Sequence, residues 1–311
     1  MDAITNHVEI CTSSSASPGS SAMDLLFADN LKDQRMNHSL NVLGTFTFLT
    51  DALELSYEGF AEALWSMDFD TTSNRRSHEF ALIIKYALTD FHMICQAPSV
   101  QVKHERTAFV EFVIPYLKAL DKCTGLVKIG WCEKDLNANK LIVLNRNDTL
   151  KNAVIRKIDA LGTLNTSTTM EDLLVESSGG NFEENVKHAQ EDTLKVIECS
   201  TMVLKAEASQ RKDAAFDLFK QSKVMSLLVI KNQLTLCSTG ILENKRWSFV
   251  QLRSATLPVS WEQRYLLVKV FELLATLMLE LERMERLGLE LDKSAAGVTP
   301  YEGPSVREAL V

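Results

Sequence analysis

The sequence predicts a mainly α protein with minor β, in which two helical lobes each carry a small β-hairpin or meander. Apolar residues recur at intervals of three and four over most of the chain, which is the spacing of one helix face. Residues 261–291 carry two neighbouring apolar seams, so they predict a long helix that is buried on most sides. The β-prone runs are short and fall into two groups, within 126–144 and 224–252.

The length of 311 residues favours two domains or lobes. The Ser-rich residues 1–22 predict a disordered arm, and residues 23–161 predict an N-terminal helical lobe with a β-hairpin. Residues 162–181 are rich in Thr, Ser and Gly and predict a linker. Residues 182–291 predict a C-terminal lobe with long helices and a small meander, and residues 292–311 predict a flexible tail.

In the N-terminal lobe, apolar periodicity and capping residues predict five helices and one hairpin. The predicted helices cover residues 42–53, 57–64, 77–94, 103–120 and 147–161, and the hairpin joins 126–131 to 141–144. Pro115 lies inside the fourth predicted helix. Because an interior proline removes a backbone hydrogen bond, we expect a bend or a break there.

In the C-terminal lobe, residues 182–223 predict a long helix with a narrow apolar stripe. The three runs that follow predict a small antiparallel meander, at residues 224–230, 234–242 and 247–252. The final helix becomes amphipathic in its last turns, so its end is expected to emerge into solvent.

Composition indicates the compartment and limits the function classes. The six cysteines form no C-x-x-C pair, which predicts reduced thiols in a cytoplasmic (intracellular, reducing) location. The N-terminus has no apolar signal region, and no run reaches the roughly 18 apolar residues of a membrane span. The net charge of -8 argues against a general nucleic-acid binder. No cofactor and no metal site are predicted.

Residues 118–158 are nevertheless basic, with nine Lys and Arg against four Asp and Glu. Lysines beside an aromatic ring can follow a phosphate backbone and stack on bases. This segment therefore predicts, as an alternative function, a nucleoprotein-like binder of single-stranded nucleic acid. Its candidate residues are Lys118, Lys122, Lys128, Lys134, Lys140, Arg146, Lys151, Arg156, Lys157 and Trp131.

A further alternative is a Mg²⁺-dependent phosphatase that uses Asp68 and Asp70. Residues 68–72 fit the D-x-D-x-[TV] pattern of haloacid-dehalogenase-type phosphatases, in which the first Asp attacks phosphorus. That pattern should follow a buried strand, whereas residues 60–65 here predict a helix. The sequence therefore favours an acidic helix end and a polar loop.

The leading hypothesis is a non-catalytic helical protein that mediates protein–protein interaction or assembly. Long amphipathic helices can join subunits, so we expect a protein partner or self-association, and a homo-oligomer in solution. The emergent end of the final helix predicts the contact residues Met284, Leu287 and Leu291.

Overall fold

The fold was analysed in a computed structural model. The structure describes residues 8–11, 21–69, 74–96, 105–145, 154–165, 170–178, 186–242 and 246–310. The helices before the first long strand are α1 Ser21–Arg35, α2 His38–Val42, α3 Phe46–Leu53, α4 Phe60–Ser66, α5 Arg75–Gln96, α6 Glu105–Phe112 and α7 Ile114–Thr124. Pro115 lies in the first turn of α7, so the predicted break at this proline is confirmed.

Seven strands form one mixed sheet in the order β1-β7-β6-β5-β4-β3-β2. The strands are β1 Val8–Cys11, β2 Val127–Asp135, β3 Lys157–Leu164, β4 Leu173–Ser178, β5 Lys223–Ile230, β6 Gln233–Ile241 and β7 Trp247–Thr256. Strands β2, β3 and β4 are antiparallel neighbours, as are β5, β6 and β7. The β4–β5 and β1–β7 pairs are parallel.

The remaining helices lie between or after the strands. They are α8 Asn137–Asn145, α9 Val186–Gln210, α10 Phe216–Phe219, α11 Leu267–Ala295 and α12 Val306–Leu310, and a 3₁₀ turn, Trp261–Leu266, precedes α11. The predicted long helix 182–223 ends at Gln210, and β5 begins at Lys223. The predicted meander and the final helix are confirmed as β5–β7 and α11.

The prediction of a mainly α protein with minor β is wrong, because this sheet makes the protein an α/β fold. The predicted meander is part of this sheet, but the predicted hairpin is wrong, because β2 pairs with β3 and residues 141–144 lie in helix α8. Three strands were not predicted: β1 lies in the predicted disordered arm 1–22, β3 begins in a segment that predicted a helix, and β4 occupies the predicted linker. All six residues of β4 are buried. A strand covered on both faces lacks the polar–apolar alternation by which exposed strands are recognised.

The predicted linker 162–181 and tail 292–311 both differ from the structure where it describes them. Residues 162–164 and 173–178 lie within the sheet. Residues 292–295 belong to α11, and α12 returns to the fold with Val306 and Leu310 buried. One hydrophobic cluster extends from Leu40 to Leu310, so both predicted lobes share one core.

Helices cover both faces of the sheet. Leu228 of β5 packs with Val196 and Ile197 of α9. Lys223 lies five residues earlier on the same strand and pairs with Glu280 of α11 at 3.5 Å. Because side chains alternate along a strand, α9 and α11 lie on opposite faces.

Helix α11 is enclosed between the sheet and the N-terminal helices. Its Phe271 ring meets Phe80 of α5 and Tyr116 of α7, with ring centroids 6.4 and 6.0 Å apart. On the other side, Glu272 is fully buried and accepts a hydrogen bond from Arg253 of β7 at 3.1 Å. This double coverage explains why the helix is apolar around most of its circumference. Among the described residues, no helix has the length and apolar character needed to span a membrane.

Candidate functional site

An exposed apolar surface lies on the outer side of α4 and α5. Tyr86 and Met93 of α5 are 53% and 56% exposed, and Trp65 of α4 is 42% exposed. Leu82, one turn before Tyr86, is half-buried. Positions 82, 86 and 93 share one side of the helix, since each residue turns it by about 100°. We call the surface formed by these four side chains the aromatic face.

The opposite side of α5 explains why the aromatic face points outward. Phe80, Ile84, Ala87 and Phe91 are buried in the core and lie about half a turn away from Tyr86. Burying that stripe turns the second apolar stripe towards solvent. Helix α5 therefore has two apolar sides, of which the core uses one.

Two direct contacts hold Trp65 in place. Its ring meets the edge of Tyr86 at a centroid distance of 5.1 Å and an interplanar angle of 73°. Its Nε1 donates a hydrogen bond to Thr89 Oγ1 at 3.0 Å. The face is therefore organised before any partner arrives, which lowers the entropy lost on binding.

The buried side chain of Lys85 lies beneath the Trp65 ring of the aromatic face. Its ammonium Nζ donates to the backbone oxygen of Met67 at 2.6 Å, just beyond the end of α4. It also lies 5.6 Å from the Trp65 ring centroid and 5.8 Å from that of Phe48. A cation stabilises the C-terminal end of a helix and the faces of aromatic rings. The buried Lys85 therefore fixes α4 against α5.

The surroundings of Trp65 on α4 are acidic. Glu58, Glu62 and Asp68 are exposed, and each lies within seven residues of Trp65. Residues 47–69 contain five acids and neither Lys nor Arg. We call Glu58, Glu62 and Asp68 the acidic rim.

An exposed Trp and Tyr in contact with each other, with an exposed Met on the same side of α5, suit binding rather than chemical reaction. Aromatic side chains contribute much of the energy at protein interfaces, and the flexible Met side chain fits irregular partner surfaces. The sequence did not predict this site. Its signal was the set of apolar positions 82, 86 and 93, which lie off the main stripe of the predicted helix 77–94.

Only part of the basic segment 118–158 is available for binding nucleic acid. Three of its candidate residues are in ion pairs: Lys122 with Asp121, Lys140 with Asp135 and Arg156 with Glu198, at 3.0, 3.0 and 2.7 Å. Trp131 is half-buried against the core. Arg146 and Lys151 lie outside the described residues.

The four remaining cations are exposed but belong to three elements. Lys118 is on α7, Lys128 and Lys134 are on β2, and Lys157 opens β3. Lys118 lies near Asp90, whose pKa is raised by burial and then by Glu111, and is held down by Lys118. The two lysines of β2 are thus the clearest free pair, and nucleic-acid binding by this segment stays a prediction.

The phosphatase residues lack the strand that their chemistry needs. Asp68 is exposed and follows α4, and Asp70 lies outside the described residues. Within the described ranges, no three His, Cys, Asp or Glu side chains are grouped so that they could hold a metal ion.

The predicted contact residues at the end of α11 are placed differently. Met284, Leu287 and Leu291 are all buried. They line a cavity of about 30 Å³ together with Val203 and Leu204 of α9. Residues of α9, of α11 and of the start of β5 line this cavity together, so this surface is already occupied within the chain.

Two carboxylates beside that cavity have raised pKa values. Burial raises the pKa of Asp172 to about 7, although a hydrogen bond from the Leu164 N–H opposes the shift. Burial also raises the pKa of Glu171, which accepts backbone hydrogen bonds from Asn137 and Ala138 at the start of α8. A cavity of this size holds little more than a water molecule. We therefore assign both carboxylates a structural role in the fold and not a role in binding a ligand.

A cleft of about 550 Å³ lies between α5, α7 and α11. Its charged lining consists of Arg75, Arg76, Arg286, Glu79, Glu282 and Glu285. Because the two signs balance, and Arg76 pairs with Glu282 at 2.9 Å, the cleft carries no net preference for an anion or a cation. The aromatic face remains the strongest candidate site.

Comparisons of the chain with protein-family models, with curated proteins and with solved structures find no match. The class of protein is therefore defined by the fold alone. It is an α/β protein whose central helix is enclosed between a seven-stranded mixed sheet and a helical layer.

Proposed function

We propose that this chain is a non-catalytic protein-interaction module that binds a partner protein through the aromatic face. The observation that carries the proposal is the contact between the exposed Trp65 and Tyr86 rings, continued along α5 by Met93. Large aromatic side chains are normally buried, and interfaces are enriched in them. Covering this face would remove apolar surface from water without rearranging the core.

The test compares three forms of the chain as bait in an extract of its source cells. These are the native chain, the Trp65→Ala/Tyr86→Ala variant and the Leu194→Ala variant. Leu194 is exposed on α9, away from the aromatic face, and is the matched control. Any protein retained by native and control baits is then purified and mixed with each form, and the complex is measured by light scattering.

We expect a complex with the native and Leu194→Ala chains that is lost with the double variant. Both altered side chains are exposed, so the double variant should keep the native melting temperature within a few degrees, which thermal unfolding checks. A complex that survives in the double variant would contradict the proposal. A chain that forms no complex in any form would contradict it too.

A further inference from the structure

The aromatic face has the length and spacing of a helix-binding surface. Positions 82 to 93 span about 17 Å along α5, at 1.5 Å per residue. That distance equals about three helical turns. A partner helix could place apolar residues spaced by three or four positions against Leu82, Tyr86 and Met93, as in other helix-in-groove interfaces. Trp65 borders this surface on the side of α4.

The charges on the α4 side of this surface are negative. The acidic rim lies there, and Lys85, whose Nζ lies 5.6 Å from the Trp65 ring centroid, is buried and hydrogen-bonded to Met67. At the start of α5, Arg75 pairs with Glu79 and Arg76 pairs with Glu282. Among the described residues, none of the three rim carboxylates is in an ion pair. A partner that crosses the face beside α4 therefore meets three carboxylates.

The same rim opposes a second copy of this chain. A symmetric dimer through the aromatic face would bring two acidic rims together, and like charges across an interface disfavour association. The chain also carries a net charge of -8. Charge complementarity therefore favours a partner with Lys or Arg.

Resting on the proposed function, we infer that the aromatic face docks a basic amphipathic helix of a partner protein. Apolar side chains of that helix lie on Trp65, Tyr86 and Met93. Lys or Arg side chains along its flank face Glu62 and Asp68. The apolar contacts supply most of the affinity, and the opposite charges set the orientation and accelerate association.

A displayed library of randomised helical peptides tests this inference. The library is selected on the native chain, with the Trp65→Ala/Tyr86→Ala variant as the counter-selection bait. We expect enriched peptides with a net positive charge and apolar residues spaced by three or four positions. Their binding to the Leu194→Ala control should equal their binding to the native chain.

One enriched peptide is then measured by fluorescence anisotropy against charge-reversed chains. Glu62→Lys with Asp68→Lys should weaken binding by about tenfold, because two of the rim's three attractive charges become repulsive. Added salt should weaken binding to the native chain more than binding to the reversed chain. Exposed Glu290→Lys, distant on α11, is the matched control and should leave binding unchanged.

The outcomes separate the inference from the proposed function. Enriched peptides that are neutral or acidic, yet depend on Trp65 and Tyr86, would overturn the basic partner and leave the interaction module standing. The same holds if the charge reversal has no effect. A library that yields no peptide dependent on Trp65 and Tyr86 would overturn the docking surface. The proposed function would then be tested only by the comparison of native and variant baits in the cell extract.

Discussion

At the scale of single residues, Glu272 links three parts of the fold. Its carboxylate accepts hydrogen bonds from the Ser39 and Leu40 backbone N–H groups, at 3.2 and 3.0 Å, and from Arg253 Nε. It therefore caps the start of α2 and pairs with β7 while remaining on α11. The apolar periodicity predicted that helix α11 is buried, but nothing in the sequence indicated the burial or the partners of this one acid.

We predict that Glu272→Leu lowers the free energy of unfolding by about 3–5 kcal/mol. The change leaves the buried Arg253 with only Asp33, at 4.0 Å, as a counter-charge, and removing one partner of a buried ion pair is strongly destabilising. Denaturant titration measures the loss. Glu272→Leu with Arg253→Leu should recover part of it, because the poorly compensated buried charge is then gone. A loss below about 1 kcal/mol in the single variant would contradict this role.

Glu176 predicts how stability depends on pH. Burial raises its pKa to about 7; the neighbouring Asp159 adds to the rise, and the hydrogen bond from Lys195 opposes it. The folded chain thus holds this proton between about pH 4.5 and 7, whereas the unfolded chain releases it. The contribution of Glu176 to the free energy of unfolding therefore falls as the pH rises from about 4.5 to 7, and it is constant at higher pH.

In Glu176→Gln this fall should disappear. The difference in unfolding free energy between variant and native chain should become more favourable to the variant by roughly 3 kcal/mol from pH 4.5 to pH 8. Denaturant titrations at both pH values measure it. Exposed Glu290→Gln is the control. An equal difference at the two pH values would show that Glu176 does not carry this dependence.

At the scale of elements, the sheet edges explain features that the sequence assigned elsewhere. Strand β2 is an outer strand, and it carries exposed Lys128 and Lys134 with a bulge between Trp131 and Lys134. Cys132 and Glu133 within the bulge have φ values of 67° and 48°. Lysines and bulges keep an open edge from pairing with another sheet. This role accounts for two of the lysines that predicted nucleic-acid binding.

Two variants of β2 separate these roles. Lys128→Val with Lys134→Val should promote aggregation on heating, measured by light scattering, because the edge loses its protecting charges. Lys128→Glu with Lys134→Glu keeps charges at the edge and should remain as soluble as the native chain. If the native chain binds single-stranded RNA, the Glu variant should bind it more weakly at low salt. Equal aggregation of the Val variant and the native chain would contradict edge protection.

Elements with a strong local apolar period were predicted better than elements that depend on distant neighbours. Helices α5 and α11 and the β5–β7 meander could be predicted from local periodicity, because the apolar positions within each of these segments recur at a short, regular spacing. Strands β3 and β4 could not, since β4 is buried on both faces and pairs with β5, which begins 45 positions after the end of β4. The aromatic face was visible only as a second apolar stripe on α5, and the contact with Trp65 depended on how α4 packs.

At the scale of the whole molecule, other segments of the chain cover the outer side of strand β7. Strand β1 pairs with residues 247–250 of β7. Beyond it, Gln34 of α1 makes two hydrogen bonds with the backbone of Ser254, both at 2.8 Å, and Asn30 bonds the Gln251 oxygen at 3.2 Å. The edge of β7 is thus covered partly by a strand and partly by side-chain amides.

We predict that removal of residues 1–11 promotes self-association. The deletion uncovers the half of the β7 edge that α1 does not protect, and an open edge can pair with another chain. Light scattering over a range of concentrations should show a larger mass than for the full chain. A deleted chain with the same mass as the full chain at every concentration would contradict this.

The cap that Glu272 provides for α2 also sets a time order for biosynthesis. Ser39 and Glu272 are separated by 233 positions. At 5–20 residues per second, a ribosome needs roughly 10–50 seconds to make the chain between them. During that interval the α2–α7 layer has emerged while the helix that it encloses has not. The apolar surfaces of that layer stay exposed during this interval. We therefore expect the nascent chain to depend on chaperones until α11 leaves the exit tunnel.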